Sequence, residues 1–305
     1  DANVGEGDEI RVTVMEHHSN RVPWQQLGER TGAKIQAIPV TDDGQLEIDA
    51  LDELINERTK LVAITALSNV LGTCNPLETI IAKAHAADAV VLVDAAQSVP
   101  HMATDVVKLD VDFLVFSGHK MCGPTGIGVL YGREALLDAM PPFLGGGSMI
   151  STGEFEQLRP GVLTAKFEAG TPPIVQAIGL GAAIDYVRGI GLDRIHAHER
   201  SLACRAHEVL SPAGDVRFLG PAPDAKAGIV SFVVDGIQSL DLAQVLDQHG
   251  VAIRAGHHCT MPLHKRLGIA SSARASFYLY NTLEEIDQLG EAMNAARKFF
   301  KRSSK

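Results

Sequence analysis

The chain is predicted to fold as an α/β protein, a mostly parallel central sheet with helices on both faces, followed by a smaller α+β domain at its C-terminal end. Three observations lead there. Short apolar runs alternate with longer amphipathic stretches over the first two-thirds, the pattern of a sheet built from strand–helix–strand units. The runs are continuous rather than alternating, so both faces of each strand are expected to be covered. Past residue 188 the order changes to helix, strands and helix, which marks a second domain. The division expected is 1–188 and 189–305, and roughly 150 residues per domain suits a length of 305.

Residues 10–15 (IRVTVM), 60–67 (KLVAITAL), 90–93 (VVLV) and 113–116 (FLVF) read as strands. Helices are expected at 24–31, 48–55 and 77–87, the last preceded by Pro76, which suits a helix start. A long helix at 173–188 leads through a Gly-Ile-Gly turn into a helix at 192–210. Strands near 228–234, 251–254 and 274–280 and a closing helix at 283–300 complete the smaller domain.

Composition bounds the function. There are 27 positive and 37 negative side chains, a net charge of −10, which argues against nucleic acid or an anionic membrane as the main partner. Apolar runs such as 61–67 and 89–93 fall far short of the roughly 18 residues that suggest a membrane span. No leader with the charged, apolar and small-residue order of a secretory signal is read. Four cysteines are too few for a disulfide framework in a chain this long, so a reducing, cytoplasmic setting is expected.

Ligands of open parallel sheets bind at the carboxyl ends of the strands. Those ends carry Glu16, His17 and His18; then Ser68 and Asn69; then Asp94 and Gln97; then Ser117, His119 and Lys120. Asp94 directly follows an apolar strand, where an unpaired carboxylate would cost several kcal/mol; a protonated pyridine nitrogen would be its partner. Pyridoxal 5'-phosphate needs such an acid and a lysine to form its Schiff base, and Asp94 and Lys120 suit those roles from neighbouring strand ends. His17 is placed to stack on the cofactor ring. Asn69 and Gln97 are candidates to bond ring substituents or substrate, and Ser117 and His119 to hold phosphate oxygens. A turn or capping role is the alternative for each of these alone.

Glu16-His17-His18-Ser19-Asn20, Ser68-Asn69-Val70-Leu71-Gly72, Val93-Asp94-Ala95-Ala96-Gln97 and Ser117-Gly118-His119-Lys120 resemble the successive motifs of cysteine desulfurases, in order and over nearly the whole chain. These are class V members of the fold-type I pyridoxal-phosphate enzymes, so the resemblance implies that fold and the conversion of L-cysteine to L-alanine.

Further on, Arg254-Ala255-Gly256-His257-His258-Cys259-Thr260 follows an expected strand, and the glycine suggests an exposed, mobile loop. Burial of the cysteine and metal binding are the competing readings, but no second ligand pair stands at a zinc-like spacing, so no metal is expected. A thiolate nucleophile beside imidazoles is preferred. The stretch resembles the active-site loop of the group II, Suf-type desulfurases, which implies that Cys259 takes the sulfur as a persulfide and passes it to a Suf-type acceptor protein for iron–sulfur cluster assembly. Arg274 matches the family's carboxylate-binding arginine, whose guanidinium can grip a carboxylate through two parallel bonds, and Arg254 a further arginine of the site. Cys204 is read as core and Cys74 as a turn residue.

Residues 167–172 (FEAGTP) resemble the segment whose threonine, Thr171 here, reaches the phosphate in the neighbouring subunit, which implies a homodimer. The stretch between Gly147 and this segment is expected to form a hairpin reaching the partner. The resemblance also implies on the order of a hundred residues before the position of Asp1, including a phosphate cup at a helix N-terminus. A selenocysteine lyase shares all these groups, and a non-catalytic remnant acting as a binding scaffold is the reading from another class.

Overall fold

The computed structural model describes residues 4–303 apart from Glu154. The larger part carries β1 (Glu9–Thr13), α1 (Val22–Thr31), β2 (Lys34–Ile38), α2 (Leu51–Leu54), β3 (Thr59–Thr65), α3 (Leu77–Ala86), β4 (Val90–Asp94), α4 (Val106–Leu109), β5 (Phe113–Ser117), β6 (Gly128–Gly132) and α5 (Glu134–Ala139). A hairpin of β7 (Ile150–Gly153) and β8 (Leu158–Pro160) precedes two long helices, α6 (Ile174–Ile190) and α7 (Leu192–Leu210). The smaller part adds β9 (Val216–Leu219), β10 (Ile229–Val234), α8 (Ser239–Asp247), β11 (Arg254–Gly256), α9 (Met261–Arg266), β12 (Ser272–Ser276) and α10 (Leu283–Ser303).

Six strands form the main sheet in the order β2-β1-β3-β4-β5-β6. The first five are parallel and β6 runs antiparallel to β5, so the mostly parallel sheet is as expected. Chain direction across the sheet reverses between β1 and β3, the switch point at which open sheets leave a crevice for ligand. A core of Ile64, Val62, Leu71, Ile80, Val91, Val93 and Leu114 fills the space between sheet and helices. Burying each such side chain contributes roughly 1.5–3 kcal/mol. The smaller part has its own sheet, β11-β12-β10-β9, with its own core around Phe232, Val230, Leu246 and Met293.

Several elements depart from expectation. β2 and β6 were not foreseen: β2 alternates weakly between exposed and half-buried positions, and β6 is an edge strand that opens and closes with glycine. The helix expected at 48–55 is a 3-10 turn followed by one α-turn. The strand expected at 251–254 begins only at Arg254 and runs to Gly256, which lies opposite Ser272, the first residue of its one partner β12. The strand expected at 274–280 is Ser272–Ser276. Beyond Phe277, whose N–H bonds Gly228 O, the chain turns, and Asn281 caps the turn by accepting from Tyr278 N–H. Cys204 is half-buried rather than core. No helix among the described residues is long and apolar enough to cross a membrane.

Candidate active site

The strand ends converge as the topology requires. β1 stops at Thr13 and the chain turns into a 3-10 helix capped by His17, whose Nδ1 accepts from Ser19 N–H at 3.2 Å. Beneath it Glu16 is wholly buried and gathers three donors, Thr13 Oγ1 at 2.5 Å, Asn20 Nδ2 at 2.6 Å and Thr65 N at 3.0 Å. The last bond crosses the β1/β3 switch point. Burial pushes Glu16 up to about 7 despite those donors.

Asp94 ends β4, is 8% exposed and accepts from Ala96 N–H at 2.9 Å. Lys120 closes the 3-10 turn that follows β5 and faces Asp94. Its amine has no hydrogen-bond partner among the described residues, and burial lowers its pKa against the pull of the Asp94 carboxylate; Arg274 and Arg254 lower it further. Lys120 is half-buried; two lysines are buried more deeply, but each is spent on a carbonyl. Lys226 donates to Leu219 O and Lys166 to Asp138 O. Burial also brings Lys226 down to about 8 with no carboxylate offsetting it, whereas Asp94 offsets the burial of Lys120.

The two arginines stand directly opposite each other on the antiparallel β11–β12 pair. Like charges so placed repel, and an anion between them would relieve it. Arg274 Nη1 donates to Asn69 O at 2.8 Å, while its Nε is buried without a partner. Burial, then Arg254, brings Arg274 down to about 10, still charged at neutral pH. Cys259 interacts electrostatically with both Arg274 and Lys120. His17 is lowered by burial and by Lys120, with Asp94 and Arg254 also in range.

The cysteine loop is less exposed than expected, with His257 its one exposed residue. It is four residues between β11 and α9, and each is tied down. Thr260 N and Oγ1 both donate to His257 O, Asn69 Nδ2 donates to His258 O at 2.8 Å, and His18 N donates to Cys259 O at 2.8 Å. His258 is 2% exposed and Cys259 half-buried. These ties hold His258 and Cys259 at φ of 51° and 61°, left-handed conformations that cost about 1–2 kcal/mol each for a residue with a side chain.

Both buried imidazoles here are held neutral. His258 is pushed down to about 3 by burial, Arg274 and His264, and His264 is lowered by burial. The unfolded chain protonates histidine near 6.5. Their contribution to stability is therefore whole above pH 6.5 and is lost as pH falls toward 3. Glu16 has the opposite sign, present below about 4.5 and lost as pH rises toward 7. The comparison that isolates the histidine is thus with His258→Gln. Between pH 7 and 5 the wild type is expected to lose urea resistance faster than the variant, by up to about 1.4 kcal/mol per pH unit. Parallel slopes would refute the assignment.

A cleft of about 280 Å³ is lined by Gln97, His119, Lys120, Arg274 and Tyr278. A larger cavity, about 380 Å³ beside Cys74 and Met102, holds none of the predicted residues. Lys120 thus lies in electrostatic range of Asp94, His17, Arg254, Arg274 and Cys259, and Lys120 and Arg274 line one cleft with Gln97 and His119. Asn69 is engaged at its side-chain Nδ2 and its backbone carbonyl, Ser117 ends β5, and Thr171 is exposed ahead of α6. Sequence reasoning missed the pair His101 Nδ1–Glu199 Oε1 at 2.7 Å, which joins the turn after β4 to α7, and Tyr278, edge-on to His101. No local motif carries these.

A model of the class-V aminotransferases matches residues 1–289. A probable cysteine desulfurase of Streptomyces coelicolor is 51% identical over 293 residues, 96% of this chain and 70% of that protein. The solved cysteine desulfurase of Escherichia coli superposes with a TM-score of 0.94 at 39% identity, covering 98% of this chain and 74% of that one. A second solved structure, C-DES with glycine covalently linked to its pyridoxal-phosphate cofactor, has a TM-score of 0.82 at 26% identity, over 94% and 74% of the two chains. The residues here fit that cofactor: an unpartnered, desolvated amine faces a buried carboxylate, beside an arginine whose Nε lacks an acceptor.

Proposed function

Because the chain belongs to the aminotransferase class-V family, as a cysteine desulfurase that uses pyridoxal 5'-phosphate, we propose that Lys120, Asp94, Arg274 and Cys259 carry its reaction. The observation behind this is that one amine and one thiol, remote in sequence, share a single electrostatic neighbourhood with Arg274.

Lys120 would hold the cofactor covalently, Asp94 its ring nitrogen, and His17 its ring face, with Gln97, Asn69, Ser117 and His119 at its rim. When bound, the cofactor supplies an electron sink for the bonds around the substrate Cα and Cβ. Lys120 Nζ, desolvated and so easier to deprotonate, moves the Cα proton. Arg274, with Arg254 beside it, takes the carboxylate of L-cysteine, which satisfies the unpaired Nε. Cys259 Sγ attacks the substrate sulfur. An S–S bond forms as the substrate Cβ–S bond breaks, the carbon skeleton takes up a proton, and alanine and a Cys259 persulfide result. Full-length enzyme given cysteine should yield alanine and protein-bound sulfane sulfur in equal amounts; alanine without sulfane sulfur would refute the transfer. Arg274→Ala is expected to raise KM for cysteine by about 10–100-fold, the loss of a charge-assisted bond of roughly 1.5–3 kcal/mol, with kcat less affected. Steady-state kinetics check this.

The pinned four-residue loop leaves Cys259 half-exposed where it stands. A thiol carried on so short a loop is best served by an acceptor that comes to it, which supports a Suf-type acceptor protein, with iron–sulfur cluster assembly downstream. The chain is read as a homodimer. α6 buries Leu180, Ala183 and Val187 but leaves Ile174, Val175 and Ile178 57–77% exposed, and Phe143 and Val162 near the hairpin are more exposed still. Apolar surface of that extent marks an interface, and Thr171 lies just ahead of it, within reach of a second copy. Ile178→Asp is expected to shift the sedimentation of the full-length protein from dimer to monomer; an unchanged dimer would place the interface elsewhere. The division at 188/189 and a reducing, cytoplasmic setting belong to the same reading, the two sheets having separate cores and the four cysteines being free.

A further inference from the structure

We propose that Ser272, with His258 and His264, is a positioning device that aims the Cys259 thiol at the substrate sulfur. Ser272 opens β12 and is wholly buried. Its Oγ lies 3.1 Å from His258 Nε2 and 2.9 Å from His264 Nε2, and its carbonyl oxygen lies 3.1 Å from His258 Nε2. His264 Nδ1 lies 3.1 Å from Thr260 O.

One proton arrangement satisfies all four contacts. His258 Nε2–H is shared between Ser272 O and Ser272 Oγ, the Ser272 hydroxyl donates to His264 Nε2, and His264 Nδ1–H donates to Thr260 O. Both rings are neutral in it, which agrees with their burial. The chain begins at the residue before Cys259 and ends at the residue after it, so a single serine hydroxyl braces both flanks of the nucleophile.

The brace has something to resist. His258 and Cys259 occupy left-handed backbone, which no side-chain-bearing residue adopts unless its surroundings hold it there. Of the other ties, Asn69 grips His258 O and His18 grips Cys259 O, and both come from the larger part of the chain. The serine and His264 come from the smaller part, so the loop is fixed from two sides. His258 offers no proton shuttle in this arrangement, since its Nε2 is spent on Ser272 and its Nδ1 is buried without a partner. The loop histidine thus shapes the backbone rather than activating the thiol.

The inference rests on Cys259 being the nucleophile, and the test separates the two. Selenium leaves carbon more readily than sulfur, so alanine formation from selenocysteine depends less on an attacking thiol. In the full-length holoenzyme, Ser272→Ala is expected to lower kcat for cysteine by about 10²-fold, the cost of misplacing a reacting group by about 1 Å. Turnover of selenocysteine should fall by less than about threefold, and KM for cysteine should hold. His264→Phe, which removes both of that ring's bonds but keeps its bulk, should behave alike and serves if Ser272→Ala does not fold. Ser272→Thr, retaining the hydroxyl, should recover most of the cysteine rate. Equal loss on both substrates would mean general damage and overturn the positioning role, as would no loss on either. Should Cys259→Ala itself keep full cysteine turnover, the underlying assignment of the nucleophile fails instead.

Discussion

Lys120→Ala is expected to lower alanine formation from cysteine by about 10³-fold or more, the scale of losing a positioned proton-transfer group. The expectation rests on where the amine sits. It closes a one-turn 3-10 helix at the end of β5, is in electrostatic range of the Asp94 carboxylate at the end of β4, and has no hydrogen-bond partner among the described residues. An amine in water holds its proton at neutral pH and is inert; burial and the neighbouring arginines lower that barrier here. Lys226, more deeply buried, cannot substitute, because its Nζ is fixed on Leu219 O. Lys120→Arg should fail almost as badly, since a guanidinium keeps its proton at any working pH. Steady-state alanine release, with a thermal melt to show the variant folded, decides the matter. A variant above about a tenth of the wild-type rate would mean that another group moves the proton.

Cys259→Ala carries the second large effect. Cysteine turnover is expected to fall by about 10²-fold or more and protein-bound sulfane sulfur to vanish, while KM for cysteine changes little. The asymmetry follows from the division of the site. Arg274 would still bind the carboxylate and Lys120 still move the proton, so the substrate enters and only sulfur removal stalls; losing kcat without KM marks an interaction made in the transition state. Stability should be nearly unchanged, because alanine at φ 61° is no more strained than cysteine. Persistent sulfane sulfur on the variant would move the acceptor to Cys74, Cys122 or Cys204.

The strands of the sheet interior, β1, β3, β4 and β5, were legible because continuous apolar runs have few other uses in a chain with this charge. The polar residues at their carboxyl ends were legible for the same reason, since each breaks such a run at the edge where ligand binds. β2, β6 and β9 were not, and β11 was expected three residues too early. Their pairing is decided by neighbours far along the chain, and their own residues are mostly exposed or half-buried. The cysteine loop shows the difference most sharply. Its glycine and two histidines read as mobility, and the structure makes them a pinned turn through Asn69, His18, Ser272 and His264.

What the sequence determined alone was the inventory: a lysine, a carboxylate, two arginines and a thiol, placed at the ends of elements whose apolar pattern names their type. Only the tertiary structure decided which of these face each other and which nitrogen of each histidine is already spent. The reason is range. Hydrophobic periodicity is set by residues within a turn or two, whereas a hydrogen bond depends on an ångström of separation between atoms that the fold alone brings within reach, such as Asn69 Nδ2 and the carbonyl of His258.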